Sequence, residues 1–342
     1  MVLLVLRLLV PCVSAMDLQA PDAPDSVADI VPEEADNFGE GLWQVIKGCI
    51  QQFNPALSQA ARVCLQVTAA VLLTSMVSGF VSGSSSKAVQ LAGALAVGGT
   101  LLEPSAAFIS LGAETVQSLS EYGKLLLPVM TAGLAAQGGT TASASLYAAT
   151  ALFDSLLSSA VSGLMVPIMY LYLGLAVGNA ALSEPLLARM RDLCKWLMTW
   201  ILKIALYLFT GFLTVTGVVS GSADAAALKA AKITISGAVP VVGGILSDAS
   251  EAVLVGAGLL RSSAGIYGLL TIGALFLAPF VRMGVQYLLL KATGAVCDSL
   301  GKNGATQLIS DFAGAMGLIL AMTATQTVLL MISTVCFMKG VS

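Results

Sequence analysis

Histidine is absent from all 342 residues, which removes the side chain most often used as a metal ligand or general base and excludes His-based triads. The six cysteines (Cys12, Cys49, Cys64, Cys194, Cys297 and Cys336) include no C-x-x-C pair, so a zinc site of that spacing is excluded as well. Neither a metal nor a cofactor is expected, and the cysteines within apolar runs read as small buried hydrophobes. No G-x-x-x-x-G-K-[ST] phosphate loop is present, so the chain lacks the usual means of cradling ATP. Charge is scarce too. Only 10% of the residues are Asp, Glu, Lys or Arg, against roughly 25% in an ordinary soluble domain, and a water-soluble surface cannot be built from so few. The net charge of −3 gives no sign of a nucleic-acid partner.

Hydrophobic residues make up 57% of the chain. They are gathered in successive blocks of the ~18 residues or more that cross a hydrocarbon core of ~30 Å. Short alternating segments of the β-barrel type are missing. The 34 glycines, with many Ala and Ser, suit close helix packing in lipid. The expected fold is all-α: a polytopic transmembrane helical bundle with broken or re-entrant helices and about six to eight membrane segments, in contact with the lipid bilayer.

Four regions follow from the distribution of charge and apolar residues. Residues 1–15 read as a signal peptide ending in Val13-Ser14-Ala15, although Arg7 interrupts its apolar run and leaves a retained anchor as the other reading. Residues 16–40 are Pro-rich and hold eight acids with no Lys or Arg, which is the composition of a flexible, solvated linker. Residues 41–61 place Leu42, Trp43, Val45, Ile46, Ile50, Phe53 and Leu57 largely at helical spacing and read as an amphipathic helix. Residues 62–342 form the transmembrane helical domain. Within it Glu103-Pro104 is expected to break the second span, and residues 124–182 can be drawn as two crossings or three, depending on whether the Pro128 segment is a half-helix. Arg189, Arg191 and Lys195 form the densest basic cluster, placed in the cytoplasm by the excess of positive charge there.

The residues most able to carry function lie in the run 235–251. It is apolar, yet it contains Pro240, the glycine pair Gly243-Gly244 and two acids, Asp248 and Glu251. A proline and paired glycines permit non-helical backbone, which is tolerated at membrane depth only where protein or a watery cavity surrounds it. Asp248 and Glu251 share a helix face, and each charge would cost about 2.5–3.5 kcal/mol in lipid. They are candidates for lining a path or contacting a partner, with pairing to Arg261 or Lys232 as the structural alternative. Glu103 and Asp154 are weaker signals of the same kind, for which a helix end is the simpler explanation. Gly79/Gly83, Gly174/Gly178 and Gly217/Gly221 are G-x-x-x-G pairs and read as packing positions.

The run ISGAVPVVGGILSDASEAVLVGAGLLRSSAGIYGLL, residues 235–270, resembles the stage III sporulation protein AE family of endospore-forming Firmicutes. The polar lead-in, the Pro128 to Gly139 segment and the terminal spans are similar to the family plan. The resemblance implies a membrane subunit of the sporulation channel, or feeding tube, that links mother cell and forespore and supports late forespore gene expression. It implies other stage III sporulation membrane subunits as partners and, less directly, a forespore channel protein and a separate ATPase subunit. It implies no catalytic residue, so no enzyme is expected, and it implies the mother-cell membrane around the forespore as the location. The residues leave one other class open, a stand-alone secondary transporter with Asp248 and Glu251 in an ion or solute path. An intramembrane protease on Asp154 and Asp248 is disfavoured, because neither stands in a Gly-x-Gly-Asp context.

Overall fold

A computed structural model describes residues 20–32, 38–51, 53–81, 84–136, 140–215, 263–301 and 303–339. Among these residues there are helices and turns but no strand. The helices are α1 (Phe38–Gln51), α2 (Phe53–Phe80), α3 (Ser84–Ala136), α4 (Thr140–Ala160), α5 (Val166–Leu182), α6 (Pro185–Val215), α7 (Ser263–Leu300) and α8 (Gly304–Lys339). Six stretches are long and apolar enough to cross a bilayer: Phe38–Phe80, Ser85–Ala135, Ser143–Leu182, Pro185–Leu213, Gly265–Ser299 and Gly304–Met338. The chain is an all-α, multi-pass membrane protein, and these spans fit the expected range.

The bundle is organised around α8, which packs on α3, α4, α5, α6 and α7. In its most apolar window 78% of the residues are buried, against 17% for Phe38–Phe80. Helices α2 and α6 carry the outer surface. Leu65, Leu73, Met76 and Phe80 on α2, and Leu193, Trp196, Trp200 and Leu208 on α6, are exposed, as lipid-facing side chains are expected to be. At 53 residues, α3 is about 80 Å long, more than twice the ~30 Å hydrocarbon layer. Part of it must stand outside that layer or lie along it.

The expected break at Glu103-Pro104 does not occur. Pro104 and Pro128 both lie inside the continuous α3. A mid-helix proline costs roughly 3 kcal/mol locally, but α3 is held on both sides of Pro104 by side chains such as Leu101, Ile109, Leu119 and Leu126, all at 1% exposure or less. Pro128 therefore belongs to α3 and not to a separate half-helix. Pro167 is accommodated differently. The π turn Val161–Met165 joins α4 to α5, with the Val166 N–H donating to the Val161 carbonyl. Widening the turn makes room for the proline ring, which would otherwise meet the carbonyl four residues back. Residues 140–182 thus form one long rod.

One other expectation is revised. Residues 20–32 of the acidic segment are packed on the bundle. Val27 and Val31 are buried, the Ala23 N–H donates to the Tyr267 hydroxyl at 3.2 Å, and the Tyr122 hydroxyl donates to the Pro21 carbonyl at 3.5 Å. The alternation of acids with Val27 and Val31 hid an apolar edge that joins the buried core. The helix expected over 41–61 falls on α1, which packs on α7, and on the opening turns of α2.

Turn chemistry sets the order of the last helices. Ser183, at φ 55°, ends α5 with its N–H on the Asn179 carbonyl, and Pro185 opens α6 where its missing N–H is harmless. Asn303 caps α8: its side-chain oxygen accepts from the Thr306 N–H at 2.9 Å while its own N–H donates to the Thr306 hydroxyl at 3.2 Å. Gly304 is required there because a Cβ would stand 2.4 Å from the Ala180 carbonyl oxygen. Gly304→Ala is expected to push the start of α8 off the end of α5 and destabilise the bundle by about 1–3 kcal/mol. Gly284→Ala, with nothing within 4 Å of the new Cβ, should be nearly neutral; unfolding of the purified protein in mixed micelles would compare the two.

Candidate functional site

Asp154 lies in the middle of α4 and is 1% exposed. Two other helices reach its carboxylate. The Ser120 hydroxyl on α3 donates to Oδ2 at 2.6 Å, and the Gln326 side-chain amide on α8 donates to Oδ1. Lys124, one turn beyond Ser120, is near enough for its charge to attract the carboxylate. Gly123 lets α3 and α8 approach, since a Cβ there would stand 2.8 Å from Leu330. One atom is left over. The Gln326 Oε1 is buried without a hydrogen-bond partner. Further along the same α4/α8 interface the Thr150 hydroxyl donates to Ser333 Oγ at 3.1 Å.

A cavity of about 410 Å³ adjoins this cluster, lined by Glu114, Gln117, Ser120, Glu121, Lys124 and Ser158 among others. Glu121 and Lys124 are exposed, so the cavity opens on the surface of the bundle. Ser120 both lines it and bonds Asp154. A hydrophilic opening thus ends one side chain away from a buried acid.

A second polar centre joins α5, α6 and α8. Arg191 Nη1 donates to Asp311 Oδ2 at 2.7 Å, Gln307 Nε2 donates to the other carboxylate oxygen at 3.3 Å, and the Tyr172 hydroxyl donates to the Asp311 backbone carbonyl at 3.0 Å. The paired side chains are 11% and 10% exposed. This is a buried ion pair with extra hydrogen bonds, and its chemistry is that of a latch between helix ends. Removing one partner leaves a buried charge unpaired. Arg191→Ala or Asp311→Ala is expected to cost about 3–5 kcal/mol of stability. Asp192→Ala, which removes the 65% exposed partner of the same guanidinium, should cost under about 1 kcal/mol. Denaturation of the three variants in micelles gives the comparison.

Pro240, Gly243, Gly244, Asp248 and Glu251, together with Gly83, Gly217 and Gly221, lie outside the described residues. Glu103 is exposed on α3, and its neighbour Pro104 lines a separate cavity of about 400 Å³ with Arg282 and Gln286. Nothing lies within 4 Å of a Cβ placed at Gly79 or Gly174, and Gly178 meets only Leu187 at an ordinary 3.4 Å. The close helix approaches fall instead at Gly112, Gly123, Gly268 and Gly304. Helix spacing of glycines reports which could share a face but not whether that face meets a helix or lipid. Asp154 is not at a helix end: α4 runs on for six residues beyond it. Ser120, Gln326, Arg191 and Asp311 were not singled out as a site. The only sequence signal for Gln326 is an amide inside an otherwise apolar and Thr-rich terminal span.

The chain matches the family described as stage III sporulation protein AE over residues 24–340. Stage III sporulation protein AE of Bacillus subtilis (strain 168) is 21% identical over 193 residues, which is 56% of this chain and 48% of the relative. The chain therefore aligns with about half the length of that relative. No solved structure matches it. With a family match that spans most of the chain, this multi-pass membrane protein belongs to the stage III sporulation protein AE family and has a role in sporulation.

Proposed function

We propose that this protein is a membrane subunit of the channel apparatus that joins the mother cell to the forespore, located in the mother-cell membrane around the forespore and needed for late forespore gene expression. The observation that carries this reading is the family match over residues 24–340. The architecture is compatible with it. Helices well beyond bilayer length offer surfaces outside the hydrocarbon layer, where other stage III subunits, a forespore channel protein and an ATPase subunit could join the assembly. In this reading the protein performs no chemistry of its own. It holds a rigid, polar-seamed bundle in the membrane, and the energy comes from the ATPase.

Deleting the gene in its sporulating host tests the proposal. Engulfment is expected to finish while a late forespore reporter stays silent and spore yield collapses, with both restored by the wild-type gene. Affinity capture of the tagged protein from sporulating membranes should bring down the other stage III membrane subunits. Normal reporter expression in the deletion strain would refute the role. Solute transport by the purified protein alone in liposomes would favour the stand-alone transporter over a channel subunit.

A further inference from the structure

We propose that the cavity between α2, α3 and α7 binds the headgroup of an anionic phospholipid, with its phosphate on Arg282 and Gln286. The cavity measures about 400 Å³ and is lined by Gln59 from α2, Phe108 and Leu111 from α3, and Arg282 and Gln286 from α7, among others. That volume lies at the low end of the roughly 300–1,000 Å³ of small-molecule sites. Arg282 is exposed, whereas Gln286, one turn further along the same helix face, is only 3% exposed. Among the described residues Gln286 has no hydrogen-bond partner. An amide buried without a partner costs about 1–3 kcal/mol, and this one lines the cavity, where a bound oxygen can reach it.

Charge and depth select the ligand. Among the described residues that line this cavity Arg282 carries the one charge and no acid accompanies it, in contrast to the cavity beside Ser120, which holds Glu114 and Glu121. A guanidinium and side-chain amides present N–H donors that match phosphate oxygens, and the single negative charge of a phosphodiester makes the site neutral. The uncharged runs of all three helices stop at this level. On α2 the run 63–86 begins after Arg62, on α3 the run 88–102 ends at Glu103, and on α7 the run 263–281 ends at Arg282. Charges that bound apolar runs mark the headgroup level of a bilayer, and basic pockets between spans are the usual sites for anionic headgroups. Acyl chains have a surface beside it as well: Leu65 on α2 and Leu102 on α3, each within two turns of a lining residue, are 70% and 41% exposed.

The test uses the purified full chain in detergent micelles, titrated with phosphatidylglycerol, with phosphatidylcholine of the same acyl chains, or with inorganic phosphate. Native mass spectrometry counts the lipid retained, and the thermal unfolding midpoint reports stabilisation. Phosphatidylglycerol is expected to be retained saturably and to raise the midpoint, while phosphatidylcholine and inorganic phosphate do neither. Arg282→Gln should weaken phosphatidylglycerol binding by about tenfold, the loss of one charged contact, and Gln286→Leu should weaken it in the same direction. Ala107→Trp fills the cavity from an exposed lining position and should abolish retention with the polar groups intact, so it carries the conclusion if either α7 variant fails to fold. Lys291→Gln removes another exposed cation of α7 that is not part of the lining and should leave binding unchanged. Retention that survives both Arg282→Gln and Ala107→Trp, or that falls equally with Lys291→Gln, overturns the site. Equal effects of the two lipids overturn the choice of an anionic headgroup, and stabilisation by inorganic phosphate as strong as by phosphatidylglycerol overturns the choice of a lipid. Spore formation is not a readout here, so this outcome and that of the channel proposal are independent.

Discussion

Helix α8 meets protein on nearly all of its surface, so each polar group it carries has to find a partner inside the bundle or remain unpaired at a cost of about 1–3 kcal/mol. Most of them solve this locally. Thr325, Thr327, Ser333 and Thr334 donate to the carbonyl one turn back at 2.7–2.9 Å, and Thr323 bonds the Leu320 carbonyl at 3.1 Å. A hydroxyl can do this because it is short and close to its own backbone. Gln326 cannot, since its amide oxygen and nitrogen lie two bonds farther out. It must reach across to another helix, and it finds Asp154. The register of α8 against α4 is thereby tied to this amide and to the Thr150–Ser333 bond, and the other helices pack around α8.

The two acids buried among the described residues are treated in opposite ways. Asp311, near the start of α8, receives a guanidinium and two further hydrogen-bonding groups around it, so its charge is neutralised by a fixed partner. Asp154 receives two neutral donors and only a distant ammonium. A carboxylate with a bonded cation is closed to exchange, while one held by an alcohol and an amide still has a charge to be matched. That difference assigns the Arg191–Asp311 pair to holding α6 against α8. It leaves Asp154 as the acid held by an alcohol and an amide, next to the cavity that Ser120 lines.

Hydropathy made the bundle legible, because length and apolarity alone identify a span. What it could not show was continuity. Glu103-Pro104 reads as a break from local propensity, yet α3 continues through it with buried neighbours on either side, and the local cost of the proline is outweighed by packing that is remote in sequence. Asp154 and Gln326 are 172 residues apart, and nothing in either segment names the other. Ser120 is farther from legibility still, as one serine among many. The docked part of the acidic lead-in was obscured for a related reason: Val27 and Val31 are too few to announce a core, and become part of one only against the rest of the bundle.

Family membership and the buried site bear on different levels of the molecule. A match spanning residues 24–340 speaks for the whole bundle, and at 21% identity with the Bacillus subtilis relative most individual side chains are free to differ while hydropathy and packing persist. A bundle can retain its helices under such drift because apolar residues of similar size replace one another at small cost. A polar triad cannot drift in that way. Losing Gln326 strands Asp154, losing Asp154 strands the amide, and either change leaves an unpaired group in the core unless both are replaced together. The Asp154 cluster, like the Arg191–Asp311 pair, is thus a part of the bundle in which sequence is tightly constrained by physics.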